Sequence, residues 1–275
     1  MNTAILKKAS LKPLALLAVL PLALTGCVST ANENTDPNGE VSLVKSGTLS
    51  VCTNTPYKPF DGTIVGLDAD IANAIASDLG VKAQLTSISF EGLDSGTGLA
   101  TGQCDIALAG IGVTDERKNK MEFTTVYFDD NLAILVPKGS SITSAADLKG
   151  VSVGAQQATS GETYAKENGA EVIQYEDTSL MFSALKTGQV KAVAANLSVV
   201  SEALTNDPNS FKIAYQDSEN TEQIAAAVSS NNKALLTKAN ATITKLKANG
   251  ELDKMKAKWV GATSSTSASA SSSAS

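Results

Sequence analysis

The 275-residue sequence contains no histidine, and only 4% of its residues are aromatic. Without an imidazole, the chain cannot form a histidine-based catalytic triad, a histidine metal site or an imidazole acid–base pair. The sequence has 22 lysine and arginine residues against 28 aspartate and glutamate residues, so the formal net charge is −6. Because phosphate binding needs a basic face, this composition argues against a nucleic-acid partner.

No apolar run is long enough to cross a membrane; the run 14–24 follows a basic start and is typical of a signal peptide, here residues 1–26. The sequence Leu-Thr-Gly-Cys at its end resembles the lipobox of bacterial lipoproteins, in which Cys27 would be diacylated and become the first mature residue. An ordinary secretion signal with an incidental cysteine is the alternative. We expect an exported protein, anchored by this lipid to the outer face of the bacterial cell membrane or in the periplasm.

Segments of low complexity flank the rest of the chain. Residues 27–46 are polar, lack periodicity and contain Pro-Asn-Gly, which predicts a flexible tether. Residues 262–275 are almost wholly serine, alanine and threonine. This composition offers too little apolar area to offset the entropy of ordering, so it predicts a disordered tail.

Two cysteines remain once Cys27 is assigned to lipid. Cys52 and Cys104 form an even pair in an exported chain, where a disulfide bond can persist. Both lie in strand-like surroundings, so two separate buried thiols are the alternative.

Short apolar strands alternate with helical patterns between the flanking segments. LSVCTN predicts a strand and ADIANAIASDLG a helix, and the second half repeats this order. The alternation indicates an α/β fold with mainly parallel sheets and a ligand crevice at the carboxyl ends of the strands. LATGQCDIALA (99–109) resembles LKTGQVKAVAA (185–195), each with a helix end, a glycine stop and a strand. We therefore expect two similar lobes.

The chain resembles family 3 of the bacterial extracellular solute-binding proteins, which bind polar amino acids for ABC importers. The likeness runs from Gly47 to Gly261 and is strongest in GTLSVCTNTPYKPF, VGLDADIANAIASDLG, GQCDIALAGIGVTDERK and AILVPKGSSITSAADLKGVSVGAQQATSGETYA. It implies a periplasmic-binding-protein-like (type II) clamp with two hinge strands, near 127–131 and 220–224. The implied divisions are 47–127 for the first part of lobe 1, 128–222 for lobe 2 and 223–261 for the C-terminal part of lobe 1.

In lobe 1 the resemblance assigns Arg117, in the motif IGVTDERK, to the ligand carboxylate, which a guanidinium can meet with two parallel hydrogen bonds. Thr114 resembles the N-cap of the helix that carries Arg117. Gly110 and Gly112 would form the pocket floor, because a backbone without Cβ lets a ligand approach closely. Many family members have serine or threonine at the position of Gly112.

In lobe 2, Thr159 and Ser160 match the family's clamp positions at a helix start, and Gln156 lies where selectivity for the ligand side chain is usually set. Tyr57 and Phe90 resemble the aromatic pair that encloses the aliphatic part of the ligand. A helix cap for the hydroxyl residues and a core position for the phenylalanine are the structural alternatives.

Asn54 and Asn196 depart from the family pattern, which often has aspartate at both positions. The aspartate that matches Asn196 pairs with the ligand ammonium, so a neutral amide removes a charge-assisted hydrogen bond. Either the ammonium finds another partner or the ligand is not an ordinary α-amino acid.

The resemblance implies a monomeric binding protein, without cofactor or enzymatic activity, that takes a small polar solute, most simply an amino acid, to the permease subunits of an ABC transporter. A ligand-sensing lipoprotein and an exported enzyme on the same fold are the alternatives. The nearby carboxylates Asp68 and Asp70 are explained by a helix N-terminus without catalysis.

Overall fold

The computed structural model describes residues 34–56, 58 and 66–260. The strands are β1 (Thr48–Thr53), β2 (Lys82–Ser87), β3 (Ile106–Ala107), β4 (Glu122–Phe123), β5 (Phe128–Pro137), β6 (Ser152–Gln156), β7 (Glu171–Tyr175), β8 (Ala192–Asn196), β9 (Phe211–Ile224) and β10 (Ala227–Val228). The α-helices are α1 (Leu67–Asp78), α2 (Phe90–Asp94), α3 (Thr97–Ala100), α4 (Asp115–Lys118), α5 (Ser160–Glu167), α6 (Thr178–Thr187), α7 (Leu197–Asn206), α8 (Lys233–Ala248) and α9 (Glu251–Trp259). Within the described ranges, no helix is both long enough and apolar enough to cross a membrane.

The strands form two five-stranded sheets with the same layout. The first has the order β2-β1-β3-β10-β4 and the second the order β7-β6-β8-β5-β9. In each sheet the first three strands run parallel, and the last two pairings are antiparallel. The predicted α/β fold with two sheets is confirmed, and each sheet is mixed, with two parallel and two antiparallel pairings.

Local sequence explains most of these elements. The five residues of β8 are all buried, as expected for a central parallel strand covered on both faces. Helix α1 buries Leu67, Ile71 and Ile75, which recur at helical spacing, and Gly80 just beyond it has φ +70°. A break at Gly250 separates α8 from α9. The strand expected at the end of LATGQCDIALA (99–109) is short, because only Ile106–Ala107 pairs regularly.

The chain crosses twice between the sheets. It leaves the first sheet after β4 and returns after β9, and β5 pairs antiparallel with β9 from Phe128 opposite Ile224 to Asn131 opposite Thr221. The two predicted hinge segments therefore lie side by side as paired strands. The lobe boundaries 47–127, 128–222 and 223–261 stay predictions.

The prediction of a flexible tether over 27–46 is wrong for residues 34–46. Val41 is fully buried and Leu43 is 4% exposed, and both belong to the hydrophobic core. A polar, aperiodic stretch can still dock when one or two apolar side chains find a groove, and the linear sequence does not show that groove. The predicted signal peptide 1–26, the rest of the tether with Cys27, and the tail 262–275 lie outside the described residues.

The sulfur atoms of Cys52 in β1 and Cys104 just before β3 are bonded in a disulfide, with 5.6 Å between their Cα atoms. The bond joins neighbouring parallel strands of the first sheet. Of the two alternatives left open by the sequence, the structure contains the disulfide.

Candidate functional site

The carboxyl ends of the parallel strands bring the predicted site residues to one crevice. Asn54 follows β1 directly, and Gly110 and Gly112 lie shortly after β3. Gln156 ends β6 and Asn196 ends β8 in the second sheet. In open α/β sheets this edge is where ligands bind.

Arg117 lies at the centre of the crevice and is the only arginine in the sequence. The residue is 3% exposed, and the side chain of Thr114 caps its short helix as predicted, by accepting from the Arg117 N–H. The guanidinium donates from Nε to Asp94 Oδ1 (2.8 Å), from Nη1 to the Gly112 carbonyl (2.9 Å) and from Nη2 to the Ala158 carbonyl (3.0 Å). The last of these bonds crosses to the second lobe.

Phe90 packs on this guanidinium, with its ring centroid 5.3 Å from Arg117 Cζ, in a cation–π contact. The ring is buried. Phe90 therefore has both the core position that was left open as an alternative and a place at the crevice. Tyr57, the predicted second aromatic of the pair, lies outside the described residues.

The loop before α5 carries the clamp residues of lobe 2. Thr159 caps α5 by accepting from the Glu162 N–H, and the Ser160 hydroxyl donates to the carboxylate of Glu222. Ala158 has φ +63°, a left-handed conformation that costs energy for a residue with Cβ. This conformation aims the Ala158 carbonyl at Arg117.

Two buried amides connect the lobes on the other side of Arg117. Gln156 Nε2 donates to Asn54 Oδ1 (2.7 Å) and to the Glu176 carbonyl (3.0 Å), and Asn54 Nδ2 donates to the Ile88 carbonyl (2.8 Å). The Gln156 Oε1 atom is buried without a hydrogen-bond partner in the described residues. It is an acceptor at the crevice that a donor group on a ligand can satisfy.

Asn196 donates from Nδ2 to Glu222 Oε2 (2.7 Å). Glu222, on β9, is a site residue that the sequence interpretation missed. Its carboxylate also accepts from Ser160, and Oε1 lies 4.0 Å from Arg117 Nη1. A signal was available, because Glu222 falls within the predicted hinge segment and Gly112 lacks a side chain where the family often has a hydroxyl.

Two buried carboxylates accept hydrogen bonds from residues that follow β3 and β8 at the crevice. Asp68 accepts from the Gly110 N–H (2.6 Å) and the Tyr127 hydroxyl (2.5 Å), and burial raises its pKa to about 6. Asp130 accepts from the N–H and hydroxyl of Ser198; burial, and to a smaller extent the charge of Glu222, raise its pKa to about 7. These side chains fix the backbone at the ends of β3 and β8.

Asp68 and Asp70 contact different parts of the structure. Asp68 is fully buried, whereas Asp70 accepts from Lys258 Nζ (2.9 Å) and Trp259 Nε1 (2.7 Å) on α9. Among the residues that the structure describes, no group of three or more histidine, cysteine, aspartate or glutamate side chains is placed to hold a metal ion.

Two cavities open on either side of the Arg117–Phe90 contact. The larger, of about 560 Å³, is lined by Arg117, Thr159 and Ser160 together with acidic residues such as Asp94. The smaller, of about 320 Å³, is lined by Asn54 and Phe90. Five of the predicted residues therefore line one or the other of these two cavities, whereas Gly110, Gly112, Gln156 and Asn196 line neither of them.

Comparison with known proteins agrees with this architecture. Residues 49–262 match the model of the bacterial extracellular solute-binding proteins, family 3. The sequence is 28% identical to the L-cystine-binding protein TcyJ of Escherichia coli K12, over 94% of this chain and 98% of the relative.

Two solved structures are similar in both sequence and fold. An ancestral arginine-binding protein with bound arginine is 37% identical, with a TM-score of 0.72 over 78% of this chain and 98% of its own. The ancestral amino acid-binding protein AncCDT-1, a precursor of cyclohexadienyl dehydratase, is 29% identical, with a TM-score of 0.71 over 78% and 95%.

The family match covers both sheets and the crevice between them, and the similar structures share the two-sheet architecture. The fold and the extracytoplasmic solute-binding role inferred from the sequence are therefore confirmed, and the chain belongs to the bacterial extracellular solute-binding proteins of family 3.

Proposed function

We propose that the protein binds a free α-amino acid at Arg117 and delivers it to the permease subunits of an ABC importer. The observation that carries this proposal is the buried guanidinium at the meeting of the two lobes. The similar proteins named above bind cystine and arginine, which share an α-carboxylate and an α-ammonium but differ in their side chains. Their common chemistry supports the class of ligand, an α-amino acid.

Arg117 retains the donors that such a ligand needs. A guanidinium has five N–H groups. Three of them are used by Asp94, Gly112 and Ala158, which leaves one on each terminal nitrogen. Two such N–H groups can meet a carboxylate in the bidentate manner, and Thr159 and Ser160 line the same cavity. In this proposal the amides Asn54 and Gln156 and the aromatic residues Tyr57 and Phe90 contact the rest of the ligand.

The test begins with a thermal-shift screen of the wild-type protein against the common amino acids, followed by calorimetry with the best ligand. Arg117→Ala should abolish binding, because the ligand carboxylate then enters a desolvated crevice without its charged partner. Arg117→Lys should bind more weakly than wild type because a lysine lacks the planar fork. Lys118→Ala, on the exposed side of the same helix, is the matched control. Binding by Arg117→Ala within threefold of wild type would show that the site lies elsewhere.

The proposal assigns no catalytic activity to the protein. The chain lacks histidine, and the nearby carboxylates of Asp68 and Asp70 accept from different parts of the protein, Gly110 and Trp259. Because one similar structure is that of a precursor of a dehydratase, the ligand should be checked after binding. Recovery of unchanged ligand by NMR after prolonged incubation is expected, and appearance of a product would replace this proposal with an enzymatic one.

Membrane attachment through a lipid on Cys27 is part of the proposal, supported by the sequence Leu-Thr-Gly-Cys. Incorporation of a labelled fatty acid into the wild type, and loss of both label and membrane association in Cys27→Ser, would be expected. A labelled Cys27→Ser protein would contradict this assignment. Monomeric behaviour in sedimentation is expected because each chain supplies both lobes of the crevice.

A further inference from the structure

The carboxylate of Glu222 lies among the residues assigned to the ligand, although no binding motif includes this residue. Its side chain is 11% exposed. It accepts from Asn196 Nδ2 (2.7 Å) and from the Ser160 hydroxyl, and both of these residues belong to the second lobe. Glu222 therefore reaches from the connection between the sheets into the crevice.

Fewer cations lie close to the carboxylate of Glu222 than to that of its neighbour Asp94. Both carboxylates lie within 4.0 Å of the Arg117 guanidinium. Asp94 accepts directly from Arg117 (2.8 Å) and also lies 3.5 Å from Lys120 Nζ, so two cations oppose its charge. Glu222 accepts only from neutral donors among its hydrogen bonds in the described structure, and its distance of 4.0 Å from Arg117 is longer than a hydrogen bond.

A second carboxylate faces Glu222. In the pairing of β5 with β9, Asp130 lies directly opposite Glu222, and side chains of directly opposite residues share one face of a sheet. The mutual repulsion of two such carboxylates decreases when a cation lies beside them. A ligand ammonium would provide that cation.

Space for the Glu222 side chain depends on Gly112. A Cβ atom at position 112 would lie 1.7 Å from Glu222 Oε1 and 2.3 Å from Cδ. Any other residue at 112 would therefore displace the Glu222 carboxylate from its place beside Asn196. Gly112 and Glu222 fit each other as a pair.

The geometry points to Glu222 as the residue that accepts the ammonium of the bound amino acid, with Asn196 and Ser160 holding its carboxylate in position. This inference rests on the proposed function, because it concerns the second charged group of the same ligand. The inference also explains how the ligand ammonium can find a charged partner although residue 196 is an amide. Asn196 orients the carboxylate of Glu222, which lies on another strand.

The opposite role for Glu222 is that of an internal occupant, which would compete with the ligand carboxylate for Arg117. An occupant of that kind would take the paired terminal N–H groups of the guanidinium. Instead, Arg117 donates to Asp94 and two backbone carbonyls, and Glu222 is bonded to Asn196 and Ser160. The two roles predict effects of opposite sign when the charge of Glu222 is removed.

The experiment compares wild type, Glu222→Gln and the control Glu219→Gln, an exposed residue of the same strand. Each protein is titrated by calorimetry with the best amino acid from the screen and with its 2-hydroxy analogue, which keeps the carboxylate and side chain but has no ammonium. Glu222→Gln should weaken binding of the amino acid about tenfold or more, because the ammonium then donates to a neutral amide oxygen instead of an oppositely charged carboxylate. Binding of the 2-hydroxy analogue should change by less than about threefold, and Glu219→Gln should resemble wild type for both.

Tighter binding of the amino acid by Glu222→Gln would overturn the inference and identify Glu222 as an internal occupant. An equal loss for both ligands would also overturn it, since a merely structural residue affects them alike. A wild-type protein that binds no amino acid would contradict the proposed function itself, and this outcome is visible before any variant is made. Thermal melts of the unliganded variants verify that they are folded.

Discussion

The segments LATGQCDIALA and LKTGQVKAVAA occupy equivalent places in the two lobes, and their backbones are nearly the same. Gly102 and Gly188 have φ of +70° and +77°. The N–H of the next-but-two residue, Asp105 or Lys191, donates to the Ser50 or Ser152 carbonyl at 2.8 Å in both lobes. The short repeat in the sequence therefore corresponds to a repeated unit of structure.

The side chains of the two segments make different contacts with the neighbouring strand. In the first lobe Cys104 is bonded to Cys52 of the neighbouring strand. At the equivalent place in the second lobe stand Val190 and Gly154, and a Cβ on Gly154 would lie 3.3 Å from Val190 Cγ2. A covalent bond thus joins the neighbouring strands at this place in the first lobe, and an uncharged pair without such a bond stands there in the second. The same backbone conformation accommodates either pair of side chains, because strand pairing and the glycine at the helix end determine that conformation.

The largest expected effect comes from making the first lobe resemble the second. Replacing the disulfide with Cys52→Ala and Cys104→Val frees a loop with a sequence separation of 52 residues. The loop-entropy relation gives a loss of about 4 kcal/mol in the free energy of unfolding. Urea denaturation of the variant and wild type measures the difference, with reduced wild type as the control. A loss below about 1 kcal/mol would show that packing alone holds this strand pair, as in the second lobe.

The two lobes also differ at the second residue of the helix that follows their equivalent strands, α1 after β1 and α5 after β6. In α1 it is Asp68, with its buried carboxylate, and in α5 it is Gly161, where a Cβ would lie 2.5 Å from the Ala194 carbonyl oxygen. Gly161→Ala should therefore destabilise the protein by about 1–3 kcal/mol, because the helix must move away from β8. Gly139→Ala, where a Cβ meets nothing within 4 Å, is the control. Equal denaturation midpoints for the two variants would contradict this close packing.

Asp105 and Lys191 differ most within the repeat. Asp105 accepts from the Val44 N–H (2.6 Å) and the Ser50 N–H (2.8 Å), and so joins the segment 34–46 to the first sheet. Asp105→Asn should cost about 1–2 kcal/mol, because its amide nitrogen cannot accept from the second N–H. The exposed Lys191→Asn should be nearly neutral in the same urea titration. Faster proteolysis within 34–46 should accompany only the first substitution.

The last prediction concerns the pH dependence of stability. The pKa of Asp130 is raised to about 7, mainly by burial, above the ordinary value of 3.8. The native state therefore binds a proton more readily than the unfolded state between these values, and this group makes stability fall as the pH rises from about 4 towards 7. Asp130→Asn should flatten this part of the curve. Denaturation midpoints from pH 5 to pH 8 measure it, and an unchanged slope would show that Asp130 does not titrate there.

The candidate site shows how far sequence motifs can identify binding residues. Arg117 and Thr114 were predicted from one motif, and both have the predicted local geometry because a helix cap depends on adjacent residues. Glu222 was missed, because it is 105 positions from Arg117 along the chain and carries no motif. Its position depends on the pairing of β9 with β5 and on the space left by Gly112.

The sequence by itself determined the alternation of strands and helices, the glycine stops, the absence of histidine chemistry and the family. These properties follow from local periodicity, from conformational preference and from composition. Only the tertiary structure decided that residues 34–46 dock, that Cys52 and Cys104 are bonded, and that Glu222 faces Asn196 and Arg117. Each of these depends on which strands become neighbours, and contacts between residues distant in sequence are set by the packing of the whole chain rather than by any local pattern.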